Sequence, residues 1–231
     1  MDLLKNRQIT INALGSLLVA VVLIVVALST KTAVVKNDGQ KTAKKEETPT
    51  DRIGKANGLY KKGNFKGAIK IYKNVVNEKP KDPEIRYLLG NAYQGSGNLD
   101  KAAQEYKQAT ELRPQMIQAL YQLGLVYKAQ GQNYAAYEAL NKCVEKAPDL
   151  GGARVALAKM YTQDNKIDKA VEQYNALLEL KLHGMNLADI HNELGLLYVK
   201  KGDVERAKSE WHTSLTIDPD DQRAKDLLGQ Y

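Results

Sequence analysis

The sequence predicts an all-α protein: a row of helical hairpins preceded by a membrane-spanning helix. Three observations predict it. Residue types recur every 34 positions over most of the chain, apolar residues within each unit fall at helical spacing, and residues 9–28 hold no charge. The 231 residues carry 34 Lys and Arg against 27 Asp and Glu, a net charge of +7, of which +3 lies in residues 1–50. The remaining excess is spread thinly, without a Lys/Arg run interleaved with aromatics, and this argues against a nucleic-acid partner. A single cysteine excludes an intramolecular disulfide, and three histidines argue against a His-rich metal site. Tyrosine is over-used, with 13 against one Trp and one Phe; the repeat explains this.

Residues 1–8 are a short tail carrying Lys5 and Arg7. In residues 9–28 only Thr10, Asn12, Gly15 and Ser16 interrupt the apolar character. Twenty helical residues span about 30 Å, the thickness of a bilayer's hydrocarbon core. The segment therefore reads as a transmembrane or signal-anchor helix. Small residues at Ala27 and Ser29 make cleavage the alternative; the long apolar stretch favours an uncleaved anchor. Basic residues lie close on both sides, so the positive-inside count is nearly balanced nearby, and with three more lysines beyond it leans toward the alternative of a cytoplasmic body. The likeness to an N-terminal signal anchor favours a single-pass protein with its body outside the cytoplasm. Residues 29–50 are rich in Lys, Thr and Glu and bury too little to offset their ordering entropy. They read as a disordered linker.

Residues 51–231 form the repeating body. Gly63, Gly97, Gly131, Asn165 and Gly202 are spaced 34, 34, 34 and 37, as are Ala68, Ala102, Ala136, Ala170 and Ala207. Tyr72, Tyr106, Leu140, Tyr174 and Trp211 keep the same spacing. Residues 84–114 show the physics of one unit. Leu88, Leu89, Ala92 and Tyr93 give a helix one apolar face. Gly97 ends that helix in the left-handed region, and Asp100 is the expected N-cap of the next. Ala102, Tyr106 and Ala109 then recur at helical spacing, and Arg113 before Pro114 ends the second helix. Gly90 and Ala102 let the two helices approach, with Tyr93 and Tyr106 filling the space beside them.

These positions closely resemble the tetratricopeptide repeat, a 34-residue helix–turn–helix with Leu, Gly, Tyr, Ala and Pro at fixed places. The resemblance implies a right-handed superhelical solenoid of five units, 49–82, 83–116, 117–150, 151–184 and 188–221, closed by a capping helix over 222–231. In the capping helix Ala224, Leu227, Leu228 and Tyr231 fall at helical spacing, with Asp220 or Asp221 as its cap. Departures from the family pattern are Ala56 and Ala158 at the helix-approach Gly, Asn165 at the turn, Leu182 in place of Pro, and the extra residues 185–187. The insertion reads as a longer loop or as a local change of curvature.

No Gly-rich phosphate cradle, zinc spacing or nucleophile constellation is present. His183, His191 and His212 lack ligand spacing, and the residues 164–168 lack the final Glu of a calcium loop. Cys143 occupies a small helix position and reads as a buried structural thiol. An enzyme, a cofactor and a small-molecule substrate are all unsupported.

The resemblance implies peptide binding on a concave face lined by first helices. Carried onto this chain, its binding positions are Asn57, Tyr60, Tyr87, Asn91, Gln94, Tyr121, Leu125, Lys128 and Lys159, with Lys61, Asn192 and Lys200 at corresponding places. Tyr87 and Tyr121 are expected to face this groove rather than the inter-helix packing. The family's carboxylate-clamp lysines are replaced by Ile53, Gln118 and Gln122, which argues against a chaperone-tail ligand. The expected function is a membrane-tethered adaptor that holds a partner peptide or helix. The alternative is a scaffold whose partner is another copy of itself.

Overall fold

Thr48 opens the first helix of the computed structural model, which describes residues 47–180 and 184–231. The expected tail, the membrane helix 9–28 and linker residues 29–46 lie outside the described residues, as do Leu182 and His183. Among the described residues no helix is long and apolar enough to cross a membrane. The Thr48 side chain accepts the Asp51 N–H at 3.2 Å, and Asp51 accepts the Thr48 N–H at 3.1 Å. This reciprocal capping box, with Pro49 at the first helical position, starts α1 (Pro49–Lys61). The linker reading of residues 48–50 is therefore corrected, because the cap outweighs their polar composition.

The other helices are α2 (Phe65–Glu78), α3 (Pro83–Gly95), α4 (Leu99–Leu112), α5 (Ile117–Ala129), α6 (Asn133–Lys146), α7 (Gly151–Gln163), α8 (Ile167–Leu180), α9 (Leu187–Lys200), α10 (Val204–Ile217) and α11 (Gln222–Gln230). The described residues contain no strand. Each helix packs chiefly against its neighbours in the chain, as a solenoid requires.

Each hairpin closes in the same way. Gly97 has φ of 80°, the Asn98 N–H reaches the Tyr93 carbonyl at 2.9 Å, and the Gly97 N–H reaches Gln94 at 3.0 Å. This is a Schellman closure, which satisfies carbonyls that the helix end would leave bare. The same backward bond recurs from Asn64, Gln132, Lys166 and Asp203. Asn165 takes the glycine's role with φ of 57°, a region Asn tolerates. The cap of α4 is Asn98, which accepts the Lys101 N–H at 3.2 Å, and not Asp100. The tight closure leaves Asn98 as the last non-helical residue, so Asp100 already lies inside the helix. Its carboxylate instead accepts from Gln130 of the next repeat at 2.7 Å.

The core is the repeat seen from inside. Ala68, Ala102, Ala136, Ala170 and Ala207 are wholly buried, and so are the large residues four positions on, Tyr72 to Trp211. These large side chains slide beneath the first helix of their own hairpin. A Cβ on Gly90 would lie 2.7 Å from Tyr106, on Gly124 2.6 Å from Leu140, and on Gly195 2.2 Å from Trp211. Cys143 is wholly buried, and desolvation pushes its thiol up to about 11.

Between α8 and α9, Gly184 has φ of 79°, and the insertion supplies Asn186, which caps α9 by accepting the Asp189 N–H at 3.3 Å. At the C-terminal end Asp221 caps α11, accepting the Ala224 N–H at 3.1 Å. Its other oxygen accepts from Ser214 at 2.6 Å and from Asn192 at 2.6 Å, joining the last hairpin to α11. Partial burial works to raise this carboxyl, but the hydrogen bonds from Ser214, Asn192 and the backbone outweigh it and hold the group below its ordinary value.

Two predictions follow from these contacts. Gly97 has open space around it, so Gly97→Val acts through backbone strain alone, costing about 1–2 kcal/mol in denaturant unfolding. Gly195→Ala acts through overpacking, about 1–3 kcal/mol. Adding Trp211→Leu should relieve the second variant and leave the first unrelieved; relief of both or neither contradicts the distinction. For Asp221, a depressed carboxyl contributes stability above its unfolded value near 4 and loses it as pH falls through the lower folded value. Thermal melts from pH 6 to pH 2 should show this loss, and Asp221→Asn should flatten the acid limb. An acid limb unchanged in the variant would contradict the assignment.

Candidate functional site

The ninth position of each first helix stands fifteen residues before a large buried side chain of the second helix, and in the first two repeats the two are hydrogen-bonded. The pairs are Asn57–Tyr72, Asn91–Tyr106, Leu125–Leu140, Lys159–Tyr174 and Leu196–Trp211. Tyr72 donates its hydroxyl to Asn57 Oδ1 at 2.5 Å, and Tyr106 donates to Asn91 Oδ1 at 2.7 Å. Burial pushes the Tyr72 phenol up to about 12 and raises Tyr106 too, so both remain protonated donors. Gln94 lies 2.6 Å from the same Tyr106 oxygen. A phenol has one proton, so one of the two amides must turn its NH2 toward the phenol oxygen. Asn57 and Asn91 are therefore held from inside, each keeping amide hydrogens for the outer face. In the third repeat the corresponding residues are both apolar, Leu125 packing on the cluster that holds Leu140.

The fifth-position tyrosines are structural as well as accessible, which corrects the expectation that they avoid the packing. Tyr87 is half-buried against the Tyr106 ring, with centroids 5.9 Å apart, and against Ala109, Met116 and Ala119. Tyr121 is half-buried, and a Cβ on Gly152 would lie 2.9 Å from its hydroxyl. Both rings wedge between successive repeats, because a first-helix residue at this position meets the start of the next first helix.

Tyr60 is exposed and packs edge-on to Phe65, centroids 5.4 Å apart. Lys61, Lys159 and Lys200 are exposed, and Lys128 is half-buried. Asn192 does not belong with them: it is wholly buried, donates to Asp221, and its carbonyl takes the Trp211 indole N–H at 3.4 Å. Asp221, at the start of the capping helix, diverts this position from ligand to core. His191 pairs with Glu210 at 2.7 Å. No cluster of potential metal ligands occurs among the described residues.

Two features escaped the sequence reading. On the second-helix side, Arg86 bonds Glu105 at 3.0 Å and the Pro80 carbonyl at 2.9 Å, and Arg154 bonds Gln173 at 3.2 Å and the Pro148 carbonyl at 3.0 Å. In the third repeat these places hold Leu120 and Ala139, and a groove of about 550 Å3 opens there between Lys107, Glu111, Lys142 and Lys146. A spacing of nineteen residues was the available signal. On the first-helix side, a cavity of about 310 Å3 lies between α7, α9 and Arg223 of α11. Tyr174 lines it, and the buried Tyr174 hydroxyl has no hydrogen-bond partner among the described residues.

Models of the tetratricopeptide repeat match residues 59–125, 118–149 and 188–221. Among solved structures, the crystal structure of MamA is 25% identical, with a TM-score of 0.68 over 80% of this chain and 96% of that one. MamA 41-end from Desulfovibrio magneticus RS-1 is 22% identical, with a TM-score of 0.66 over 75% of this chain and 97% of its own. YrrB, described as a TPR protein with an unusual peptide-binding site, is 22% identical, with a TM-score of 0.65 over 79% and 92%. No curated protein matches the chain. Its described residues form an all-helical solenoid of tetratricopeptide repeats.

Proposed function

We propose that this chain is a membrane-tethered adaptor that binds a peptide or helix of a partner protein along its first-helix face and so supports assembly of a complex. The observation that carries the reading is the inward anchoring of Asn57 and Asn91 by Tyr72 and Tyr106. Each amide is fixed in place and keeps at least one NH2 hydrogen, which is suited to a peptide carbonyl. Preorganised donors bind with less loss of side-chain freedom. Tyr60, Tyr87, Gln94, Tyr121, Leu125, Lys128 and Lys159 complete a face of mixed aromatic, apolar and mildly basic character. YrrB, which shares the fold, is described as having a peptide-binding site. The tether rests on the uncharged residues 9–28, and the body is placed outside the cytoplasm by the signal-anchor reading.

Site-specific photocrosslinking in native membranes tests this. A crosslinker at Tyr60, Lys128 or Lys159 should capture one discrete partner, and the same group at Lys73, Lys107 or Lys142 on the second helices should not. Capture only from the second-helix positions would move the binding face. Capture of the chain by itself from the first helices would replace the adaptor with a self-associating scaffold.

A further inference from the structure

Tyr174 differs from its counterparts in the first two repeats. The residue is 2% exposed, and its buried hydroxyl has no hydrogen-bond partner among the described residues, whereas Tyr72 and Tyr106 reach a carboxamide. The residue at the carboxamide position is Lys159, whose ammonium has three donors and no acceptor. The ammonium could donate to the phenol oxygen but cannot accept its proton, and Lys159 is exposed. Burial raises the Tyr174 phenol, so it remains a proton donor in need of an acceptor. The cavity of about 310 Å3 beside it is walled by Val155 and Met185 and carries Lys159, Asp189, Glu193 and Arg223. Two cations there balance two carboxylates, and Arg223 is already closed on Glu193 at 2.9 Å. That balance favours a neutral polar group over a charged one.

We infer that the fourth repeat takes a side-chain carboxamide, asparagine or glutamine, from a partner peptide, its oxygen accepting the Tyr174 hydroxyl and its NH2 meeting Asp189. The incoming group supplies in trans what Asn57 and Asn91 supply within the chain. The inference rests on the first-helix face being the peptide surface and names the chemistry read at one place on it.

The test uses the full chain and three N-acetylated, C-amidated pentapeptides of alanine with glutamine, glutamate or leucine at the centre. Binding is followed by amide chemical shifts of α7 to α9. The glutamine peptide should bind about tenfold or more tightly than the leucine peptide, the size expected of one buried hydrogen bond. Tyr174→Phe should abolish that preference without lowering the melting temperature, because it deletes a hydroxyl that has no partner. Lys159→Asn should raise the melting temperature by supplying the carboxamide in cis, and should also abolish the preference. Equal binding of the three peptides overturns the inference while leaving the peptide surface standing. Tighter binding of the glutamate peptide replaces the carboxamide with a carboxylate and overturns it too. Failure of all three to bind overturns it, and the crosslinking result then decides separately whether the surface itself is wrong.

Discussion

A large side chain from each second helix, pushed beneath the first helix of its own hairpin, is the contact on which the rest of this structure depends. Tyr72, Tyr106, Leu140, Tyr174 and Trp211 are each at most 2% exposed, and they set how closely the two helices approach. Where the ring or branch comes closest, the first helix has Gly90, Gly124 or Gly195, and a methyl group there would overlap it. The buried alanines from Ala68 to Ala207 complete the close approach from the second helix. Since each described helix packs chiefly against its neighbours in the chain, one such wedge per repeat fixes the geometry locally.

The same wedge also organises the outer face. Its tip emerges at the ninth position of the first helix, so the residue there must match it. A tyrosine hydroxyl meets Asn57 or Asn91, and Leu125 packs on the cluster that holds Leu140. A buried hydroxyl without a partner costs about 1–3 kcal/mol, so a mismatch such as Lys159 over Tyr174 stands out against its neighbours. Stability and recognition thus share side chains, and the half-buried Tyr87 and Tyr121 show the same overlap between repeats.

The hairpins, their turns and the small positions were legible because each physical role falls on one residue type at a fixed interval. Gly97 needed a left-handed conformation, and its equivalents, including Asn165, have it. The face was less legible. Asn57 and Asn91 carry no sequence mark of being held from inside, because their partner lies fifteen residues away on another helix. Asn192 looked like a face residue by position, yet α11 brings Asp221 against it. The Asn98 cap was missed because Asp100 has the same capping chemistry two residues later, and only the closure geometry separates them.

A double-mutant cycle on Asn57 and Tyr72 tests the central claim most directly, with unfolding free energies measured for the chain, Asn57→Leu, Tyr72→Phe and the double variant. If the second-helix wedge and the ninth position act as a unit, Asn57→Leu leaves the buried Tyr72 hydroxyl unpaired and costs about 1–3 kcal/mol, and Tyr72→Phe costs less because the half-buried Asn57 can turn to solvent. The double variant then recovers most of the loss, approaching the natural Leu125–Leu140 arrangement, with a coupling of about 1 kcal/mol or more. Losses that simply add, with coupling within about 0.3–0.5 kcal/mol, would show that the two residues are independent and would contradict the account.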